Sequence, residues 1–148
     1  MTAYINNRKA HFDYEILDRF EAGLVLFGYE VKAIRAGKGK LIGAFVIVRG
    51  GEAFLVGCNI PSHQPVNTPK SYDSERARKL LLSKKELALL ERQTETAHLT
   101  AIPLRLYNKS GKIKLEFALA RGKKKQDKRE SIKARDSKRD IDRTLKSQ

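Results

Sequence analysis

The sequence predicts a mainly β protein: one small, closed or nearly closed antiparallel barrel of about six strands, about three short helices and a basic C-terminal tail. Three observations carry this expectation. The stretches DYEILDRFEAGLVL (13–26) and KIKLEFALA (112–120) alternate apolar and polar residues with the period of two that half-buried strands show. The tripeptide Arg49-Gly50-Gly51 and the run Asn108-Lys109-Ser110-Gly111 each separate two strand-like segments, as hairpin turns do. The chain has 148 residues, 41% of them apolar, which is enough for one moderate core and not for two.

Taken in order, residues 1–11 are polar and basic and read as a loose arm. Residues 13–26 read as one long strand or two joined, with Tyr14, Ile16 and Phe20 at alternate positions and Gly23 as the place for a bend or bulge. GYEVKAIRAGK (28–38) reads as a short helix, with Val31 and Ile34 three apart and Gly37 as its cap. LIGAFVIV and EAFLVG form a hairpin around Arg49-Gly50-Gly51. NIPSHQPVNTPKSYD holds three of the four prolines and reads as a surface loop. ERARKLLLSKKELALLERQ reads as helical. Ala77, Leu80 and Leu81 share a face, and a break near Ser83 is followed by a second helix that opens on a Ser83/Glu86 capping box. A last hairpin places Ile102, Leu104 and Leu106 on one face of its first strand. Ile113, Leu115, Phe117 and Leu119 lie on one face of its second, opposite Lys112, Lys114 and Glu116.

Charge narrows the partner. The net charge is +14, and residues 121–148 carry twelve Lys/Arg against five Asp/Glu. A cation of this size attracts polyanions over about a Debye length, roughly 8 Å at physiological salt. Nucleic acid is the expected partner. A membrane surface fits less well, because the tail lacks Trp and a continuous apolar face. A single cysteine, Cys58, excludes an internal disulfide and suits a reducing cytoplasm. No apolar run approaches the ~20 residues of a membrane span, and the first residues do not read as a secretory signal. The expected location is the cytoplasm and the expected state a monomer.

Between Gly122 and the end, the only large apolar residues are Ile132, Ile141 and Leu145. Each contributes roughly 1.5–3 kcal/mol when buried, against about 1–2 kcal/mol to fix each residue's backbone. The free tail is therefore expected to be disordered. It is also biased towards helix: Glu130 with Lys133, Asp136 with Arg139, Asp140 with Arg143 and Asp142 with Lys146 sit at helical pairing distances. One reading is a solubilising tail. The other is a segment that folds against a phosphate-rich surface, and the interspersed acids favour it.

Residues for catalysis are not apparent. His11, His63 and His98 lack metal-ligand spacing, and Cys58 reads as a small buried apolar residue. GKGK (37–40) lacks phosphate-loop spacing. Asp13, Glu15, Asp18 and Glu21 read as ordinary strand surface rather than as a metal-dependent nuclease site. No cofactor or metal is expected.

Five stretches in one order carry a resemblance: NRKAHFDYEI, EAGLVLFGYEVKAIRAGK, RKLLLSKKEL, IPLRLYNKSGKIKLEFALARGKK and DKRESIKARD. Over nearly the full length they resemble the small protein B family, the SsrA-binding proteins of bacterial trans-translation. The resemblance implies an oligonucleotide-binding (OB-like) barrel, residues 1–121, that clasps the tRNA-like part of transfer-messenger RNA. It also implies that the pair enters a stalled ribosome at the small-subunit decoding region, with tail 122–148 in the empty mRNA channel, helical when bound. The matching RNA-binding positions are Asn7, Arg8 and Lys9; Glu30, Val31, Lys32 and Arg35; and Arg76, Arg78 and Lys79. Without the resemblance, Glu30 and Lys32 read as a solvated helix face, and Arg76, Arg78 and Lys79 equally as a soluble one. In the tail, Lys123, Lys124, Asp127, Lys128, Arg129, Ile132, Lys133 and Arg135 match as ribosome-binding positions. Gln126 stands where the family has an aromatic residue or histidine, and residues 63–74 and 95–100 depart from its pattern. The function expected is an RNA-binding adaptor rather than an enzyme. The runner-up is a ribosomal-RNA-binding or RNA-chaperone protein without a dedicated RNA partner.

Overall fold

The computed structural model describes residues 3–62 and 68–123. Its elements are β1 (Ala3–Asn6), α1 (Arg8–Asp13), β2 (Tyr14–Leu24), α2 (Gly28–Arg35), β3 (Phe45–Arg49), β4 (Glu52–Val56), β5 (Arg78–Leu81), α3 (Lys84–Glu95), β6 (Thr100–Lys109) and β7 (Lys112–Gly122). The strands run β1-β6-β3-β4-β5-β2-β7, and β7 pairs back to β6, so six of them close an antiparallel ring. β1 lies against the far half of β6, beyond the single pairing of Val46 with Ala101 that joins β3 to it. The expected small antiparallel barrel is what forms.

Local chemistry explains the hairpins. Gly50 and Gly51 both take positive φ, 61° and 75°, and link β3 to β4 in register from Arg49↔Glu52 to Phe45↔Val56. Such a two-residue turn matches the right-handed strand twist and favours glycine. Ser110 and Gly111 do the same between β6 and β7.

The core lies inside the ring. Phe20 and Phe117 stack at 5.4 Å between centroids. Leu55, Leu106, Leu115, Phe117 and Leu119 are fully enclosed. Leu90 of α3 is also fully enclosed and joins this core. A second, smaller cluster lies on the outer face of the sheet: Ala10, Ile102, Leu104, Ala118 and Ala120, with Tyr14 and Ile16 packed against it. Ala118 and Ala120 present little side chain, so α1 can approach the sheet closely through Ala10.

Four expectations need correction. Residues 3–11 are no loose arm. Ile5 belongs to the core, Ala10 seals the outer cluster, and the Asn7 N–H donates to the Leu104 carbonyl at 2.8 Å. Residues 78–81 are strand, not helix: Arg78 and Leu80 point in, Lys79 and Leu81 out, and pairing with β4 and β2 closes the ring. Partner strands override the helix propensity of this Lys- and Leu-rich run. The Ser83/Glu86 capping box does form and opens α3. The irregularity in β2 lies between Ile16 and Asp18 rather than at Gly23. It sends Tyr14 and Ile16 to the outer cluster and Phe20 to the inner core. A matching shift between Pro103 and Arg105 puts Ile102 and Leu104 outside and Leu106 inside, so these three do not share a face.

Candidate nucleic-acid interface

Helix α2 buries Glu30, Ala33 and Ile34 and leaves Lys32 and Arg35 in its last turn exposed. It ends on Gly37, whose φ of 75° turns the chain away, with Lys38 N–H donating to the Ala33 carbonyl at 2.9 Å. At its start, the Phe27 N–H donates to Glu30 Oε1 at 2.8 Å.

Glu30 is fully enclosed and so is Arg78. Arg78 Nε and Nη2 donate to Glu30 Oε2 at 3.0 and 2.8 Å. Arg76 forks across the carboxylate, Nε to Oε2 at 3.1 Å and Nη2 to Oε1. Arg78 spreads its remaining charge over the carbonyls of Cys58, at 2.5 Å, and Ser74, at 2.9 Å. Tyr72 Oη lies 2.6 Å from the Ile60 carbonyl and 3.0 Å from Glu30 Oε2, and accepts from Arg78 Nη2 at 3.0 Å. Burial by itself would raise the Glu30 pKa. Hydrogen bonds from Arg76, the Phe27 N–H and Arg78, with the Arg78 charge, outweigh it and hold the carboxyl below its usual range. Burial first, then the Glu30 charge, pushes Tyr72 up to about 12. Burial pushes the Cys58 thiol up to about 11, so it stays protonated at neutral pH and behaves as a small apolar residue.

The structure thus separates the expected RNA-binding positions. Glu30 and Arg78 offer no surface to a ligand; they hold each other and pin the loop around Tyr72 and Ser74 to α2. Asn7 is likewise buried, its amide donating to the Pro103 carbonyl at 2.9 Å. Exposed Arg8 lines a groove with Arg19 and Arg105, and Lys9 lines another beside Phe45. Lys79 pairs with Glu52 at 3.0 Å on the open surface. Lys123 ends the described chain, its N–H donating to the Asp13 carbonyl at 2.9 Å and its Nζ to the His11 carbonyl at 3.2 Å. Lys124, Asp127, Lys128, Arg129, Ile132, Lys133 and Arg135 lie outside the described residues.

What the fold does gather is a groove of about 310 Å³ between α2 and the start of β7. Leu24, Leu26, Val31 and Leu81 give it an apolar floor; Arg35, Lys112 and Lys114 supply three cations, and among the described residues no acid lines it. Arg35 Nη2 is held by the Gly111 carbonyl at 3.0 Å. Lys112 and Lys114 escaped sequence reasoning because they looked like any outward strand face. Their link to Arg35 depends on the β6–β7 turn reaching α2. Beyond the groove, part of the charge on β2, β7 and β6 is paired. Glu21 accepts from Tyr107 Oη and from Lys109 at 3.0 Å, and Glu116 from Arg19 at 3.1 Å and Arg105 at 3.3 Å. Among the described residues no three His, Cys, Asp or Glu gather as a metal site, and no helix is long and apolar enough to cross a membrane.

The chain is similar to known proteins along nearly its whole length. The model of the family described as SmpB protein matches residues 4–147. The SsrA-binding protein of Verminephrobacter eiseniae is 46% identical over 142 residues, 96% of this chain and 90% of its own length. That of Acaryochloris marina is 50% identical over 141 residues, 95% of this chain and 92% of its own. A solved chain described as "tmRNA-SmpB: a journey to the center of the bacterial ribosome" superposes with a TM-score of 0.67 and 41% identity over 86% of this chain and 92% of that one. This chain, with its closed barrel, belongs to the SmpB protein family.

Proposed function

We propose that this protein is a cytoplasmic, monomeric RNA-binding adaptor. It binds the tRNA-like domain of transfer-messenger RNA and delivers it to stalled ribosomes for trans-translation. The groove with Arg35, Lys112 and Lys114, and with no acid among the described residues that line it, carries the reading, with Lys32 exposed on α2. Lysine and arginine at the rim displace counterions from RNA phosphates, while the apolar floor accepts the face of a ribose or an unstacked base. The shape of folded RNA, read through phosphates and 2′-hydroxyls, is the expected basis of recognition. The mechanism needs no bond-making by this chain; the ribosome supplies the chemistry. The barrel, residues 1–121, presents the RNA, and the basic tail, residues 122–148, enters the empty mRNA channel and takes its shape from ribosomal RNA.

Removing residues 124–148, which keeps the Lys123 hydrogen bonds to His11 and Asp13, tests the division. The shortened protein should bind a transcript of the tRNA-like domain as tightly as the full chain and should not support tagging on stalled ribosomes in a reconstituted system. Loss of binding to the transcript, or retained tagging, contradicts it. Recovery from cells of ribosomal RNA alone, with no enriched tRNA-like RNA, would instead make the protein a plain ribosomal-RNA binder.

A further inference from the structure

Phe27 is 47% exposed at the start of α2, next to Val25 at 48%. An aromatic ring left in water beside a helix invites a reason. The Arg76 guanidinium lies over it, 4.1 Å from the ring centroid. Tyr29 packs against Phe27 at 5.4 Å, and Tyr72 meets Tyr29 edge-on at 4.9 Å, so the ring is backed by a rigid aromatic column. Four of the five N–H groups of Arg76 are engaged in the plane of the guanidinium: Nε and Nη2 with the two Glu30 oxygens, and Nη2 and Nη1 at 3.4 Å with the carbonyls of Val25 and Ala77. A phosphate is gripped best by a pair of in-plane N–H groups, and those contacts leave a single one on Nη1. What Arg76 and Phe27 chiefly have left to offer is flat surface, and flat surface recognises a flat ligand.

We infer that the Phe27–Arg76 pair is a stacking platform for one unpaired base of the RNA that the α2 face binds. This rests on the reading of that face as an RNA interface and assigns Arg76 a different part from the phosphate-contacting cations Lys32 and Arg35. Glu30 serves the platform from beneath by fixing the guanidinium plane. Stacking does not release counterions, so its contribution is independent of salt, whereas contributions from Lys32 and Arg35 fade as salt rises.

Binding of the full chain to a transcript of the tRNA-like domain, followed across a range of salt, separates the two. Phe27→Leu keeps the apolar bulk at a half-exposed position and should lower the melting temperature only slightly, through the lost contacts with Arg76 and Tyr29. It should weaken binding between about five- and a hundredfold at every salt concentration, with the slope of log K against log salt unchanged. Transcripts carrying single abasic sites at unpaired positions should include one that weakens wild-type binding and leaves Phe27→Leu binding unaltered. Wild-type affinity in Phe27→Leu, an altered salt slope, or no such abasic position overturns the platform. If Phe27→Leu binds normally while Lys32→Ala with Arg35→Ala flattens the slope, only the platform falls. If the wild-type chain itself fails to bind the transcript, the interface reading falls with it.

Discussion

Glu30 and Glu116 each hold two arginines, one from inside the protein and the other from its surface. Glu30 and Arg78 are fully enclosed, and the side chain of Arg76 keeps 23% of its area in water. Glu116 keeps 19%, Arg105 29% and Arg19 56%. The pairing is alike and the medium is not. In the first group Glu30 and Arg78 have lost their hydration, and only the mutual hydrogen bonds and surrounding carbonyls compensate. In the second, water screens every pair and would take over from any partner removed. The first arrangement shapes the protein; the second offsets part of the positive charge of its surface.

The largest effect expected from this contrast is on stability. Glu30→Ala strands Arg78 in the interior without a counter-charge and should cost about 3–5 kcal/mol in denaturant unfolding. Glu30→Gln, which keeps the shape, should cost less and still fold. Acid should distinguish the groups next. The Glu30 carboxyl is held below its ordinary value of 4.5, so its contribution is whole above that pH and is lost as pH falls through the lower value of the folded state. The stability difference between wild type and Glu30→Gln should be constant from about pH 7 to pH 5 and shrink below it. A difference that grows with acid contradicts the arrangement. Smallest of all, Glu116→Gln should shift stability by no more than about 1 kcal/mol.

Much of the barrel was legible because its signals are local. Gly50-Gly51 and Ser110-Gly111 declare their turns, β7 shows its period over nine residues, and Ser83 with Glu86 announces α3. β5 was illegible because Arg-Lys-Leu-Leu suits a helix on its own and becomes strand only between β4 and β2. The six residues of α1 are too few to display a period, and the bulge in β2 switches the buried face without any residue that marks it, whereas Pro103 stood as a signal at the bulge in β6. The Glu30 cluster hid for another reason: its partners Tyr72, Arg76 and Arg78 lie 42 to 48 residues away. One clue was present. Glu30 stands three and four residues before Ala33 and Ile34, on the face that α2 buries. Tyr72 and Ser74 fell in the stretch that departs from the family pattern, and nothing local marks them as partners of an arginine.

The central claim is that Glu30 acts from within while Lys32 and Arg35 act at the surface. Thermal melting and salt-dependent binding of the tRNA-like transcript, measured side by side for Glu30→Gln and for Lys32→Ala combined with Arg35→Ala, test it most directly. Glu30→Gln should melt earlier and bind more weakly with its salt slope intact. The double variant should melt as wild type does and bind with a slope flatter by about 0.7–0.9 for each phosphate that is no longer neutralised. A Glu30→Gln protein that melts like wild type yet no longer binds would mean that this carboxylate meets the RNA itself, and the account would be wrong.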